Sequence, residues 1–422
     1  MASFKVGTFS QHSTTGNKAI TGVGFEPDVV LFWTNGDGSA PRSSEHARTS
    51  IGAMDDSGGE FLLNVYSQDN VSTSNTTRST RNDTAAGSYN GSSWAFRYSY
   101  VSMDSDGFTL SCDATDGGTG PTIGYLAIGG ISAKIIEFNT SMSTGTDAIT
   151  GAGFEPTGLL LCTTLLPATT SLPDDSADHT LGIGVASAST ERGAAAFYSR
   201  DALSTTDSSR VIELSQVLTS VAASQSHSDP VEADFSSFDS DGFTLNYGDA
   251  DSAQRRVFAI CLGGVDCYVG SETQKTSTGT KSTTGVGFQP ESLFMFSHTA
   301  TAAGSAVVHS SGTFGFSDGT DHGSLGWFDS DNRSAVSETS RRQETDRIYS
   351  QVGGNQAEVA GEASVSSLDS DGFTLNWHVS DGNARHLCYM ALASSSAPPG
   401  GNAPTADLQG PLAGPFGGPI HA

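Results

Sequence analysis

Basic residues are scarce in this chain. It has five lysines (Lys5, Lys18, Lys134, Lys275 and Lys281), and 20 lysines and arginines together stand against 46 acidic residues, for a formal charge of −26 over 422 residues. Binding a nucleic-acid backbone requires clustered cations, so this balance argues against a nucleic-acid partner and in favour of a highly soluble surface. Long apolar runs are missing as well. No stretch approaches the roughly 20 residues of a membrane-spanning helix, so no membrane partner is expected. No basic start followed by an apolar run precedes Phe4, which predicts that no secretion signal is present. The cysteines number only five (Cys112, Cys162, Cys261, Cys267 and Cys388) and show no paired Cys-x-x-Cys spacing. They are expected to be buried free thiols of a protein made in a reducing compartment. Extended helical periodicity is also absent. Gly, Ser, Thr and Asp instead interrupt short Val, Phe, Leu and Tyr runs throughout, the pattern of an all-β chain.

The chain does carry repetition at domain length. Asp104-Ser105-Asp106-Gly107-Phe108-Thr109-Leu110 returns at Asp239 to Leu245 and at Asp369 to Leu375, a spacing of about 130 residues that is too long for a solenoid repeat and suits whole domains. Apolar residues alternate before the turn (Phe96, Tyr98, Tyr100; Val231, Ala233, Phe235) and after it (Phe108, Leu110, Cys112; Phe243, Leu245, Tyr247; Phe373, Leu375, Trp377). Each copy therefore reads as a hairpin with one buried face. A second motif, Thr21-Gly22-Val23-Gly24-Phe25-Glu26-Pro27, recurs at Thr150 to Pro156 and, with Gln289 in place of Glu, at Thr284 to Pro290. An unbroken apolar run follows each copy (Val29 to Trp33, Leu159 to Cys162, Leu293 to Phe296), as expected for a strand covered on both faces. The organisation predicted is three tandem antiparallel β-sandwich, jelly-roll-like repeats at residues 3–130, 131–264 and 265–394, followed by a Pro/Gly-rich extended or disordered tail at 395–422. Within the first repeat, the polar stretch Ser67 to Ser93 is expected to be an exposed loop.

The motifs offer little chemistry. Asp104 and Asp106, Asp239 and Asp241, and Asp369 and Asp371 occupy the third and fifth positions of a calcium-loop pattern with glycine sixth. The twelfth position, however, holds Asp113, Gly248 and His378, so two copies lack the strongest ligand. A structural turn is the expectation, with no metal and no cofactor. Gly22-Val23-Gly24 is followed by a strand and not by the helix of a dinucleotide site, and Gly279-Thr280-Lys281-Ser282 departs from a phosphate loop. Glu45 and His46 are adjacent, and His227 and Asp229 are two residues apart, on polar stretches where such proximity arises by chance. No His-Glu-x-x-His or Gly-x-Ser-x-Gly pattern occurs, so no catalytic residue is assigned and an enzyme is not expected.

The pairing of Thr-Gly-Val-Gly-Phe-Glu-Pro and its apolar strand with a downstream Asp-Ser-Asp-Gly-Phe-Thr-Leu and a closing apolar strand (Ile123 to Ile128 in the first copy) resembles a β-rich module of tailed-phage virion proteins. Such modules occur in tail fibres and other particle-surface proteins. The resemblance covers about residues 3 to 394. It implies a virion surface component, a capsid decoration or part of a tail or fibre, assembled in the host cytoplasm and binding other virion proteins or copies of itself. The alternative is a carbohydrate-binding adhesin that presents loops such as Ser67 to Ser93 and Pro167 to Asp178 to a host glycan. Leu408, Leu412, Phe416 and Ile420, four residues apart among prolines, mark the tail as a candidate extended arm.

Overall fold

A computed structural model describes residues 1–222, 231–354 and 358–395; the tail lies outside them. All regular structure among these residues is strand, so the chain is all-β. The strands form three seven-stranded sheets and three smaller sheets of three or four strands, and the pairings are antiparallel.

The same strand order recurs in each large sheet. In the first it runs Ser3–Ser10, Thr122–Gly129, Val29–Thr34, Ala47–Asp55, Glu60–Ser67, Thr76–Arg81. The counterpart in the second begins Ser132–Asn139, Arg256–Gly263, Gly158–Thr163, and in the third Val265–Thr273, His386–Ser394, Ser292–Ser297. The hairpins around Asp-Ser-Asp-Gly form the smaller sheets. Their inward residues Phe108, Phe243 and Phe373 are each 0% exposed, as the alternation predicted. Each small sheet packs on the inner face of its own large sheet, and the resulting three cores draw on residues 20–127, 149–261 and 286–391.

The two recurrent motifs turn out to be partners. Asp106 accepts hydrogen bonds from the amides of Gly22 (3.1 Å) and Gly24 (2.7 Å), and Asp371 does the same for Gly285 (3.1 Å) and Gly287 (2.7 Å). In the second copy the Asp241 carboxylate takes the Gly153 amide (2.6 Å) and its carbonyl takes the Gly151 amide (3.0 Å). The glycine that follows is required by space. Gly107, Gly242 and Gly372 have φ between 142° and 149°, and a Cβ there would lie 2.0 Å from the carbonyl oxygen of Ile20, Ile149 or Thr283.

The seventh strand of every large sheet comes from a different part of the chain. Asp174–Ala177 of the second segment pairs with Thr76–Arg81 of the first. Val307–Val308 of the third pairs with Ser208–Glu213 of the second, and Arg42–Glu45 of the first pairs with Thr339–Glu344 of the third. The exchange is cyclic and closes on itself, as it does around a threefold axis. The outer faces of the large sheets meet along that axis in one core that all three segments supply. Trp33 stacks on Phe316 at 4.6 Å, Phe61 on Phe258 at 4.8 Å, and Phe197 meets Trp327 edge-on at 4.7 Å, one pair for each junction between segments. This explains the unbroken apolar runs. Val30 and Phe32 enter the first segment's own core while Val29, Leu31 and Trp33 enter the shared one.

The expectation that Ser67 to Ser93 is an exposed loop holds for part of the stretch, where Asn70, Ser72, Thr73, Asn75, Asn82, Asp83, Ser92 and Ser93 are exposed, and is corrected for the rest. The stretch contains two strands, Thr76–Arg81 and Ala86–Tyr89, with Ser79, Thr80 and Arg81 at most 7% exposed. The polarity of Thr76–Arg81 reflects burial at a junction where hydroxyls and backbone hydrogen-bond across segments, as Thr76 Oγ1 does with the Ser199 carbonyl and Thr80 with Thr164. Asp174–Ala177, likewise read as loop, is the exchanged strand that covers it. The cysteines are free, and all but the half-buried Cys267 are buried.

Candidate functional site

The carboxylates singled out as calcium candidates are occupied by protein donors. Asp104 accepts from Ser102 Oγ (2.8 Å) and Thr109 Oγ1 (2.7 Å), Asp239 from Ser237 (2.9 Å) and Thr244 (2.6 Å), and Asp369 from Ser367 (2.7 Å) and Thr374 (2.7 Å). Asp106, Asp241 and Asp371 hold the glycine amides described above. The two acids of each copy thus serve opposite sides of the turn and do not converge. No group of three or more His, Cys, Asp or Glu suited to a metal ion occurs among the described residues. The arrangement is that of a turn lock.

Two features of the ring could serve function. The first is its interlocking, which goes beyond the exchanged strands. The carboxylate of Asp201 takes the Thr76 amide (2.8 Å), Asp331 that of Ser208 (2.9 Å), and Asp69 that of Thr339 (2.7 Å), so each segment fastens another in the same rotational sense. At the opposite edge, Val6, Ile135 and Val269 donate their amides to Asp318 (2.9 Å), Asp55 (2.7 Å) and Ser187 (2.9 Å), again cyclically. Equivalence breaks in one buried layer, where Ser67 and Ser199 have Asp329 as their counterpart. Burial pushes the Asp329 carboxyl up to about 6. Beside it, burial drives the His179 imidazole down to about 3, and its Nδ1 lies 3.0 Å from Ser67 Oγ.

The second feature is a concave polar surface of 380 Å³ in the first segment, lined by His46, Arg48, Tyr66, Gln68, Asn75 and Asn90 among others. Arg48 is 8% exposed, and its Nε donates to the Asn35 carbonyl (2.8 Å) and its Nη2 to that of Gly36. Burial, then the Arg341 charge, lowers its pKa to about 9. Burial and the same neighbour lower that of His46. The His46 Nδ1 accepts the Asp69 amide at 2.9 Å, which places the proton of the neutral ring on Nε2. Four of the six lie within or beside the stretch Ser67 to Ser93. His46 was legible only as a chance neighbour of Glu45, which is exposed at the end of an exchanged strand. His227 and Asp229 fall outside the described residues. Arg48 carried no motif. Its signal is internal, because the equivalent positions, paired to Tyr66, Tyr198 and Phe328, hold Arg48, Thr180 and Ser311.

No protein-family model and no curated protein matches the chain.

Proposed function

We propose that the protein is a structural component of a particle surface, a capsid decoration or a tail or fibre part, that works by protein–protein binding and not by catalysis. Three tandem jelly-roll-like sandwiches, at 3–130, 131–264 and 265–394, form within one chain a body of threefold character. The observation that carries this reading is the cyclic strand exchange. Every large sheet gives one strand and receives one, so the edge at Thr76–Arg81, Ser208–Glu213 and Thr339–Glu344, which would otherwise invite uncontrolled pairing, receives a strand from another segment and the body is held as one piece. A virion component needs such rigidity outside the cell. Other virion proteins are the proposed partners, and the host cytoplasm is the place of assembly. The test is to locate the chain in purified particles by labelled antibody and density. Its absence from particles, with the protein found free in the host, would sink the reading.

The second reading, a carbohydrate-binding adhesin, is favoured by one observation: the concave surface at His46, Arg48 and Tyr66 includes Gln68, Asn75 and Asn90 of the stretch Ser67 to Ser93, which the sequence offers to a glycan. Binding to immobilised glycans tests it.

A further inference from the structure

The three segments can be compared position by position, and a residue that the shared fold does not require shows itself by standing in one copy alone. Arg48 is such a residue. Thr180 and Ser311 hold the same ladder position without a charge, so the strand needs no guanidinium at that position; in the third segment it is Arg210, from another strand, that donates to the His298 carbonyl equivalent to that of Asn35. Burying one without a carboxylate partner is unfavourable, and no ion pair to Arg48 forms among the described residues. Its Nε and Nη2 are used on carbonyls, and its Nη1 has no protein acceptor among the described residues.

The other groups around the surface are also biased toward donation. His46 presents Nε2–H, because its Nδ1 already accepts. Asn90 spends its carbonyl oxygen on the Ser92 and Ser93 amides (3.1 and 2.9 Å), leaving its NH₂ group. Gln68 spends its oxygen on Asn75 Nδ2 (2.6 Å), leaving its own NH₂ and the Asn75 oxygen. A hollow with one buried cation, several spare N–H donors and a few acceptors suits a ligand that carries a carboxylate and hydroxyls together. We propose that this surface binds a carboxylated sugar, a hexuronic acid unit of an acidic glycan, with its carboxylate on Arg48. This rests on the carbohydrate-binding reading and names its substrate class. The overall charge of −26 opposes an anionic ligand at a distance. Screening over about 8 Å at physiological salt confines that opposition, so uronate binding should strengthen, not weaken, as salt rises from low values.

The test is calorimetric titration of the full chain with galacturonic and glucuronic acid trisaccharides and with the neutral galactose and glucose counterparts. Uronates are expected to bind at least about tenfold more tightly than the neutral sugars, a difference of about 1.4 kcal/mol. Arg48→Gln should abolish that preference. Because Arg48 also holds two carbonyls, Gln68→Ala provides a second variant, expected to weaken uronate binding severalfold with unchanged melting. Equal binding of acidic and neutral sugars, or uronate binding that survives in both variants, overturns the proposal. Neutral-glycan binding untouched by either variant overturns this pocket and leaves the carbohydrate reading standing. No glycan binding of any kind overturns both.

Discussion

Two kinds of core hold this molecule together, and they differ in who contributes to them. Each sandwich interior is local, as where Phe243, Leu245 and Tyr247 face Leu159 and Leu161 within residues 149–261. The axial core is communal, with Trp33, Phe61, Phe197, Phe258, Phe316 and Trp327 arriving from all three segments. A local core lets a segment fold, whereas a communal one makes its fold depend on the others. The difference teaches that these repeats are not beads on a string, even though their boundaries look like domain boundaries in the sequence.

The largest effect should come from removing the communal core outright. Residues 1–130 produced alone would expose Trp33 and Phe61 and lack the strand Asp174–Ala177 on the Thr76–Arg81 edge. Light scattering should find the fragment self-associated, and a monomer that melts cooperatively would break the comparison. Next come single truncations, each costing roughly 3–5 kcal/mol. Trp327→Ala should lower one calorimetric transition of the whole chain, while Phe243→Ala should detach the second segment's melting from the rest. Identical thermograms for the two would erase the distinction between the cores. Asp371→Ala removes the acceptor of the Gly285 and Gly287 amides at an exposed turn and should cost roughly 0.5–1.5 kcal/mol, read by denaturant titration; an unchanged midpoint would remove the turn lock from the account.

A subtler test uses the broken equivalence at Asp329. Its folded carboxyl, raised to about 6 from 3.8, keeps a proton that the unfolded chain has lost. Its contribution is therefore intact below 3.8 and is lost as pH rises through about 6. Asp329→Ser restores the residue found at 67 and 199. The variant should gain on the order of 3 kcal/mol over the parent above pH 6, with that gain gone by pH 3. His179, shifted the opposite way, is common to both proteins and cancels. A gain equal at pH 7 and pH 3 would place its origin elsewhere. The smallest expected effect is none: a chelator should leave the melting temperature where it was, since Asp104, Asp106 and their equivalents are committed to protein donors. A fall of several degrees, reversed by calcium, would show a metal in those turns.

Much of the fold was legible because it is local. Period-two alternation around Phe108, Phe243 and Phe373 reported a buried face, and Asp-Ser-Asp-Gly reported a tight turn. The unbroken run Val29 to Trp33 announced cover on both sides without naming what lay on the second side. What stayed hidden was non-local. Thr76–Arg81 reads as solvated loop because its neighbours at the junction are hydroxyls, amides and an exchanged strand about 100 residues downstream, and no periodicity encodes a partner in another repeat. The concave surface at Arg48 was invisible for the same reason. It is formed from residues 46, 48, 66, 68, 75 and 90, which only strand pairing brings together.

The place where the ring is not covalently joined has a consequence of its own. Gly129-Gly130 and Gly263-Gly264 bridge two junctions. At the third, Ser394 Oγ donates to the Ala2 carbonyl at 3.0 Å, beside an open groove of 840 Å³ that Phe4, Phe25, Phe288 and Leu368 help to line. Start and finish of the folded body thus meet at a position equivalent to two others where the chain runs through. The molecule is a circle cut once, and the cut can be moved. Joining Ser395 to Met1 with a short linker and opening the chain at Gly130 or Gly264 should give a permuted protein with the same contacts, differing only in which of three equivalent seams is left unstitched.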